Sequence, residues 1–370
     1  MLLAKKIVVF VSAFAMLFVL SAGTFAAAAD PSVAVSDQVA TGGKVWIDKI
    51  VAVQDGWVVI HAGDKAGTVM GFAPVKAGEN DKVAVNIDMS KGTPTVSAML
   101  HIDNGVVGTY EFPAADPPVK NAAGDVVNTP FKIIGVDVPD QFVKDTKAVM
   151  ISNIVAQQDG WIVIHAGDKA GTVLGHAPIK AGLNSNVKVT LDDPTKVTEM
   201  MTAMIHIDAG KIGTYEFPGA DTPPKMGAGI SNEPFWTVDH VRAWDQKLAA
   251  DGTFTVPSIL ATVDGYIVIH STATGGPVLG HAAIKAGYNA NVKVTIDTPA
   301  GITDQVSAML HIDAGKIGTY EFPGPDAPVK DSAGQLINPL FSTTGQPVPD
   351  MTATMAAMAD MSATAAATPK

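Results

Sequence analysis

Cysteine is absent from the 370 residues of this chain. Its absence excludes disulfide bonds, thiolate catalysis, cysteine-ligated zinc and iron–sulfur clusters. It also excludes the lipid-modified cysteine that anchors a bacterial lipoprotein. Histidine is then the only candidate for a side chain that binds a metal or acts in catalysis, and the chain has 9 histidines.

Charged residues are sparse, at 16% of the chain, and their formal net charge is −11. The first acidic residue is Asp30, so removal of the preceding segment with Lys5 and Lys6 would take the net charge from −11 to −13. An acidic chain with scattered lysines lacks the electrostatic footprint of a protein that binds nucleic acid or an anionic membrane surface. We therefore predict no nucleic-acid partner.

Residues 1–29 have the three parts of a secretory signal. Lys5 and Lys6 are followed by an apolar run over residues 7–20 and by alanines at 26–29. This order predicts a signal peptide that is cleaved after about Ala29. The alternative is a retained anchor, since the apolar stretch is long enough to span a membrane. In either case we predict an extracytoplasmic protein (secreted, cell-surface or periplasmic). It would meet the membrane only through the N-terminal segment, if that segment is retained uncleaved.

The chain contains three copies of one module. The sequence HIDAGKIGTYEFPG at residues 206–219 returns unchanged at 311–324 and in an edited form, HIDNGVVGTYEFPA, at 101–114. Each copy is about the size of a small domain that can bury a core of its own. The predicted organisation is a signal segment at 1–29, repeats at 40–140, 146–238 and 251–345, a linker at 239–250, and a disordered tail rich in Ala, Thr and Met at 346–370.

Each copy is predicted to fold as strands. In the first copy the segments are short, rich in Val, Ile and aromatic residues, and separated by Gly, Pro, Asp and Asn. They span residues 45–53, 57–62, 69–75, 83–87, 96–103, 107–112 and 130–134. No stretch has the 3.6-residue apolar period of a helix. Seven short strands per copy predict an all-β protein of three tandem antiparallel β-sandwich modules, immunoglobulin-like or cupredoxin-like.

The pair Asn104-Gly105 predicts a tight hairpin, because Asn-Gly accepts the two positive φ angles of such a turn. The hairpin would join strand 96–103 to strand 107–112, and Pro113 would end the returning strand by removing a hydrogen-bond donor. Strict pairing across this turn would set His101 opposite Gly108.

The repeated strings W-[VI]-V-I-H-A, V-[ML]-G-[HF]-A-P, A-M-[LI]-H-I-D and G-T-Y-E-F-P resemble a tandem-repeat family of prokaryotic secreted and cell-surface proteins. The likeness covers nearly all of residues 44–345. It implies a surface-exposed sandwich module and no known activity, and it supplies no catalytic residues. The G-x-Y-x-F segment also resembles the strand before the copper loop of cupredoxins. A blue-copper centre is excluded, since it requires a cysteine.

Recurring histidines are the candidate metal ligands. They are His165, His176, His206, His270, His281 and His311, with His61 and His101 as a weaker set in the first copy, where Phe72 takes the middle position. Residues i and i+2 of a strand share a face, so Met309, His311 and Asp313 would line one side of their strand. If the two histidine-bearing strands are neighbours, two His, one Met and one Asp could converge. Imidazole with carboxylate suits zinc or Cu(II), whereas methionine favours Cu(I).

Two other interpretations of the histidines stay open. They could be structural residues packed on an aromatic face, and the replacement of the middle histidine by Phe72 is tolerated more readily in a packing position than in a metal site. They could also belong to a recognition surface.

The loop 63–68 between two predicted strands is predicted to be a plain connecting turn.

Repetition favours a binding or structural role, because tandem modules provide reach and avidity. We predict an exported, non-enzymatic repeat protein whose partner is an unknown surface protein or glycan. The alternative is an extracytoplasmic metal-binding protein that uses the repeated histidines for copper or zinc. A hydrolase is a third hypothesis, and it would need a Glu–Asp or His–Asp pair converging in a cleft.

Overall fold

The structure, a computed structural model, describes residues 30–168, 171–272 and 275–344. The predicted signal segment at 1–29 and the predicted tail at 346–370 lie outside the described residues. The described ranges hold strands, three single-turn 3-10 helices and no α-helix. None of their helices is long and apolar enough to cross a membrane. The all-β prediction is confirmed.

Strands recur in the same order in the three modules. The first module contains β1 (Ser32–Ala34), β2 (Gln38–Ala40), β3 (Lys44–Ala52), β4 (Gly56–Ala62), β5 (Val69–Val75), β6 (Gly78–Asn86), β7 (Thr95–Ile102) and β8 (Asn128–Asp137). The second contains β9 (Ala148–Ala156), β10 (Gly160–Ala166), β11 (Val173–Ile179), β12 (Gly182–Thr190), β13 (Met200–Ile207), β14 (Lys225–Met226), β15 (Gly229–Ile230) and β16 (Asn232–Trp236). The third contains β17 (His240–Arg242), β18 (Thr253–Ala261), β19 (Gly265–His270), β20 (Val278–Ile284), β21 (Gly287–Thr295), β22 (Gln305–Ile312) and β23 (Leu340–Ser342). The 3-10 helices are Met89–Lys91, Pro194–Lys196 and Pro299–Gly301.

Two sheets face each other in each module. In the third module a smaller sheet has the order β17-β18-β21 and a larger one the order β20-β19-β22-β23. The corresponding larger sheets are β5-β4-β7-β8 in the first module and β11-β10-β13-β16 in the second. Apolar side chains at alternate positions of the strands form the core. For example, Val45 and Ile47 of the smaller sheet pack with Val58 and Ile60 of the larger one. Burial of each such side chain stabilises the fold by about 1.5–3 kcal/mol.

Strand β8 belongs to two modules. Its first half pairs with β7, with Lys132 opposite Thr95, and its second half pairs with β9, with Gly135 opposite Val155. The short strand β2 adds to β8 in parallel. The first two modules are therefore joined through one continuous strand and not through a free linker.

The segment predicted as a linker, 239–250, contains strand β17, which pairs with β18 of the third module. Its central residue Val241 is 2% exposed and packs in the core of that module. This apolar side chain and the backbone pairing explain why the first part of the segment is a strand. The linker prediction is wrong for residues 240–242.

The predicted strand 107–112 is absent, and the Asn104-Gly105 hairpin with it. Strand β7 ends at Ile102, and residues 103–117 form an irregular loop, which we call the cover loop together with its equivalents at 208–222 and 313–327. Four of its backbone N–H groups donate to carboxylates of the loop itself, so they are not available to a neighbouring strand; they belong to Asn104, Val106, Gly108 and Glu111. The prediction that His101 pairs with Gly108 is wrong for the same reason. Pro113 follows a cis peptide bond inside the loop.

Candidate functional site

The central strands of the larger sheet carry two histidines on its outer face, away from the core. The register sets His61 of β4 opposite Ser97 and His101 of β7 opposite Trp57, with Met99 between the two positions on the same face. The register of the second and third modules is the same. The condition set by the sequence, that the two histidine-bearing strands are neighbours, is met in all three modules.

The two histidine rings of each module lie close together. These histidine pairs are His61 with His101, His165 with His206, and His270 with His311. The ring centroids are 5.8, 5.6 and 5.7 Å apart, and the ring planes are within 24°, 26° and 19° of parallel. Four residues along a strand correspond to about 13 Å, so the two side chains of a pair must lean towards each other above the methionine. All six histidines are at most 1% exposed.

Backbone carbonyls hold one nitrogen of every paired ring. Nδ1 of His61 bonds the carbonyl of Gly67 at 2.8 Å, and Nδ1 of His101 bonds that of Asp116 at 2.8 Å. The equivalent bonds are His165 to Gly171, His206 to Asp221, His270 to Gly276 and His311 to Asp326. A carbonyl only accepts hydrogen bonds, so Nδ1 must carry the proton. Nε2 of the neutral ring is then left with a free lone pair.

The free Nε2 atoms are buried. Each of the six has no hydrogen-bond partner in the structure. Burial lowers the pKa of His61, His101, His165 and His311, and it lowers that of His206 to about 4, although the bond to the carbonyl works in the opposite direction. The five rings with a lowered pKa stay neutral near neutral pH. Each module has two buried Nε2 atoms without a partner. An unsatisfied buried polar atom is rare and costly.

The cover loop closes the histidine pair from above with aromatic rings. In the second module Phe217 lies edge-on to His206 at 4.7 Å, and Tyr215 lies 6.0 Å from the same ring. Trp161 packs against Tyr215 at 5.7 Å. The hydroxyl of Tyr215 and Nε1 of Trp161 are also buried without a partner, and burial raises the pKa of this tyrosine. The pair therefore lies in a buried, largely apolar site under the cover loop, which we call the chamber.

The middle histidine of the sequence motif lies outside this chamber. His176 is exposed on β11, and its ring stacks on Tyr215 at 4.2 Å. His281 stacks on Tyr320 at 4.4 Å in the third module, and Phe72 packs on Tyr110 at 4.6 Å in the first. Histidine and phenylalanine thus have the same packing role here. The structure brings together the first and last histidines of the motif and leaves His176 and His281 out.

Asp116 was not singled out in the sequence, yet it organises the cover loop. It is fully buried; one carboxylate oxygen accepts the N–H of Asn104 at 2.9 Å and the other accepts that of Glu111 at 2.7 Å. Asp221 and Asp326 make the same contacts in their modules. The sequence signal is a constant spacing: each aspartate follows the second histidine of its pair by 15 residues.

Glu111 and Asp103 serve the same loop. Glu111 accepts the N–H of Val106 at 2.7 Å, and Asp103 accepts that of Gly108 at 2.7 Å. Asp103, the aspartate two residues after His101, therefore stabilises the loop through one carboxylate oxygen. Its other oxygen is buried without a partner in Asp103 and in Asp313.

The loop after β4, predicted as a connecting turn, positions the first histidine of the pair. A Cβ at Gly67 would lie 2.0 Å from the Ala62 carbonyl oxygen, so only glycine permits the close approach that aims the Gly67 carbonyl at His61. The loop of the third module has a different sequence, but Gly276 supplies the same carbonyl. The contact is maintained although the loop sequence changes.

Metal-binding chemistry at this site is limited by the side chains that converge. Within the described residues no group of three or more His, Cys, Asp or Glu side chains is arranged to hold a metal ion. The chamber offers two imidazole nitrogens, with a methionine on the same strand face. Tetrahedral structural zinc needs four protein ligands, which this set does not supply.

Comparison with known proteins identifies the module. Three stretches, residues 31–133, 135–231 and 239–341, match the family described as "Domain of unknown function (DUF7282)". The third match begins at residue 239, next to β17. The resemblance to a tandem-repeat family is confirmed.

Two curated relatives come from Haloarcula hispanica. Cell surface glycoprotein 2 is 32% identical over 105 residues, which cover 28% of this chain and 11% of the relative. Cell surface glycoprotein 1 is 35% identical over 96 residues, covering 25% of this chain and 10% of the relative. The chain thus matches only about a tenth of the length of these relatives.

Solved structures give a weak likeness. A structure titled "Biofilm associated protein - BSP domain" aligns with 78% of this chain and 65% of its own at 10% identity, with a TM-score of 0.21. A Salmonella alpha-2-macroglobulin aligns over 84% of this chain and 22% of its own at 8% identity, with a TM-score of 0.19. Scores this low carry no argument about function.

Proposed function

The chain belongs to the DUF7282 family, with three tandem copies of its domain, and on that premise we propose that it is an exported cell-surface or secreted protein with a structural or binding role and no enzymatic activity. The observation that carries this proposal is the similarity of its module to two cell surface glycoproteins. The predicted signal segment agrees with it.

The connection between modules suits a structural role. Strand β8 runs through both of the first two modules. At the junction between the second and third modules, Asp140 of the second module bonds Arg242 of β17 through both carboxylate oxygens, at 2.6 and 3.0 Å. Such junctions resist independent motion of the modules, and a stiff array holds a repeated surface at fixed spacing.

The acidic residues of the module favour a non-enzymatic role. A hydrolase would need two free carboxyl groups, or a histidine and a carboxylate, at one cleft. Asp116 and Glu111 instead accept backbone N–H groups of the cover loop. Nδ1 of each paired histidine is bonded to a backbone carbonyl, so no carboxylate orients it as a general base.

Surface labelling of intact cells tests the location. Lys76, Lys180 and Lys285 have side chains that are 81, 80 and 82% exposed. A membrane-impermeant amine reagent should therefore label the protein, in cells or in the culture medium, before lysis. A cytoplasmic protein in the same sample serves as the control. Labelling only after lysis would overturn the proposed location.

Protease treatment of the same cells tests the structural role. We expect no cleavage within residues 133–140 or 234–242, because both junctions are held by strand pairing and by buried hydrogen bonds. Rapid cleavage at either junction, with the modules otherwise intact, would show flexibly linked domains and would contradict a stiff array.

A further inference from the structure

We propose that the histidine pair of each module binds one monovalent copper ion, Cu(I), through its two Nε2 atoms, so that the chain holds three ions. The unexplained feature that points to a ligand is the same in every module: two buried acceptor nitrogens with no partner. The inference rests on the geometry of the chamber and does not depend on where the protein is located.

The ring separation fits a shared ion. Two imidazoles that each bind one ion at about 2.0 Å have ring centres at most about 6 Å apart. The observed separations are 5.6–5.8 Å. The two rings of a pair lean towards each other from positions four residues apart on neighbouring strands, and each ring has a buried Nε2 without a partner.

The second nitrogen of each ring is already fixed as in a metal site. Metal-binding histidines almost always donate their other ring N–H to a carbonyl, a carboxylate or water, which sets the tautomer and the ring orientation. Here all six paired histidines donate Nδ1–H to a backbone carbonyl at 2.7–2.9 Å. Both rings are therefore preorganised with the lone pair of Nε2 available.

The donor set selects a soft, monovalent ion of low coordination number. Two imidazoles are too few for structural zinc, whereas Cu(I) accepts two or three ligands. Imidazole and thioether are both ligands for copper, and thioether favours Cu(I). Met99 lies on the same strand face as His101, and Met204 and Met309 hold the equivalent positions. These methionines are 2–3% exposed and can supply a third, weaker ligand.

The surroundings favour a single positive charge. Asp116, Asp221 and Asp326, whose backbone carbonyls accept Nδ1–H of the second histidine of each pair, also carry buried carboxylates that act electrostatically on that histidine. The same field stabilises a bound cation. Burial in an apolar chamber costs more free energy for a divalent ion than for a monovalent one, because this cost rises steeply with the magnitude of the charge.

Anaerobic titration of the untagged protein with Cu(I), against a chromophoric Cu(I) chelator, tests the proposal. We expect three ions to be taken from the chelator per chain. The unpaired Nε2 atoms could equally be satisfied by one water that donates to both. Retention of all copper by the chelator would favour the water and overturn the proposal.

A matched pair of variants locates the ion. His165→Asn keeps a donor near the position of Nδ1 and removes Nε2, so it should lower the stoichiometry from three to two. His176→Phe alters the exposed histidine of the same module to the residue found at position 72, and it should leave three. Loss of an ion in His176→Phe, or three ions in His165→Asn, would contradict the assignment.

X-ray absorption of the copper-loaded wild-type protein keeps the test independent of whether variants fold. We expect two imidazole ligands per copper, with or without one sulfur, and the edge energy of Cu(I). A shell of four or more oxygen or nitrogen atoms would show binding elsewhere on the surface and would overturn the proposal.

Discussion

Single residues set the chemistry of the histidine pair through their hydrogen bonds. A backbone carbonyl fixes the proton on Nδ1, and burial keeps the ring neutral. The free energy of the fold is therefore linked to pH. For each ring with a lowered pKa, the unfolded state binds a proton near pH 6.5 and the folded state only at lower pH.

We predict that His206 destabilises the folded protein as pH falls from about 6.5 to about 4. In that range the unfolded state binds more protons, and this histidine lowers the free energy of unfolding by up to about 1.4 kcal/mol per pH unit. For His206 the loss levels off below its folded pKa of about 4. Denaturant unfolding at several pH values measures the slope.

Another group titrates in the same range with the opposite effect: burial raises the pKa of Glu233 to about 7, so protonation of that carboxyl stabilises the fold as pH falls. Comparison of variants with the wild type therefore isolates the contribution of His206. The His206→Asn variant should have a shallower pH slope than the wild type. His176→Phe should keep the wild-type slope. Equal slopes in the wild type and His206→Asn would show that His206 does not titrate as described.

At the scale of elements, local patterns predict strands well and the cover loop poorly. Runs of Val and Ile bounded by turn residues place β3, β4, β5 and β7 to within a residue or two. β3 and β5 alternate between buried and more exposed positions, whereas β4 and β7 are buried on both faces. The segment 107–112 has the same composition as a strand, but two of its N–H groups are held by carboxylates of the loop: Gly108 donates to Asp103, and Glu111 donates to Asp116. That capture depends on a fold around Asp116, and local periodicity does not reveal it. From the sequence, the convergence of the histidines could be predicted only on the condition that the two strands that carry them are neighbours.

We predict that Asp221→Asn destabilises the second module by about 1–3 kcal/mol. The carboxylate accepts the N–H groups of Ala209 and Glu216, both at 2.8 Å, and an amide would turn a donor towards one of them. Hydrogen exchange should show faster exchange at these two amides. The equivalent amides of the first and third modules are the internal control, and unchanged exchange in the second module would refute this role of Asp221.

At the scale of the whole molecule, buried charges tie the modules together. Asp140 is fully buried and bonds Arg242, His240 and the N–H of Trp236. Gly42 of the first module donates its N–H to Glu233 of the second at 2.9 Å. These contacts extend across both junctions, so the modules should unfold cooperatively.

We predict that Arg242→Ala costs about 3–5 kcal/mol, because it leaves the buried charge of Asp140 without its main partner. Calorimetry should show one broad transition of the wild type separating into at least two. Asp140→Asn added to Arg242→Ala removes the unpaired charge and should recover part of the loss. A single variant as stable as the wild type would show that this ion pair does not couple the modules.

The central claim is that three modules hold the same buried histidine pair with free Nε2 atoms. Nitrogen NMR of the metal-free, ¹⁵N-labelled protein near neutral pH tests it most directly, since it reports the protonated nitrogen of every histidine ring. The account predicts that His61, His101, His165, His206, His270 and His311 are all neutral with the proton on Nδ1. A proton on Nε2 in any of the six, or charged rings at that pH, would contradict it.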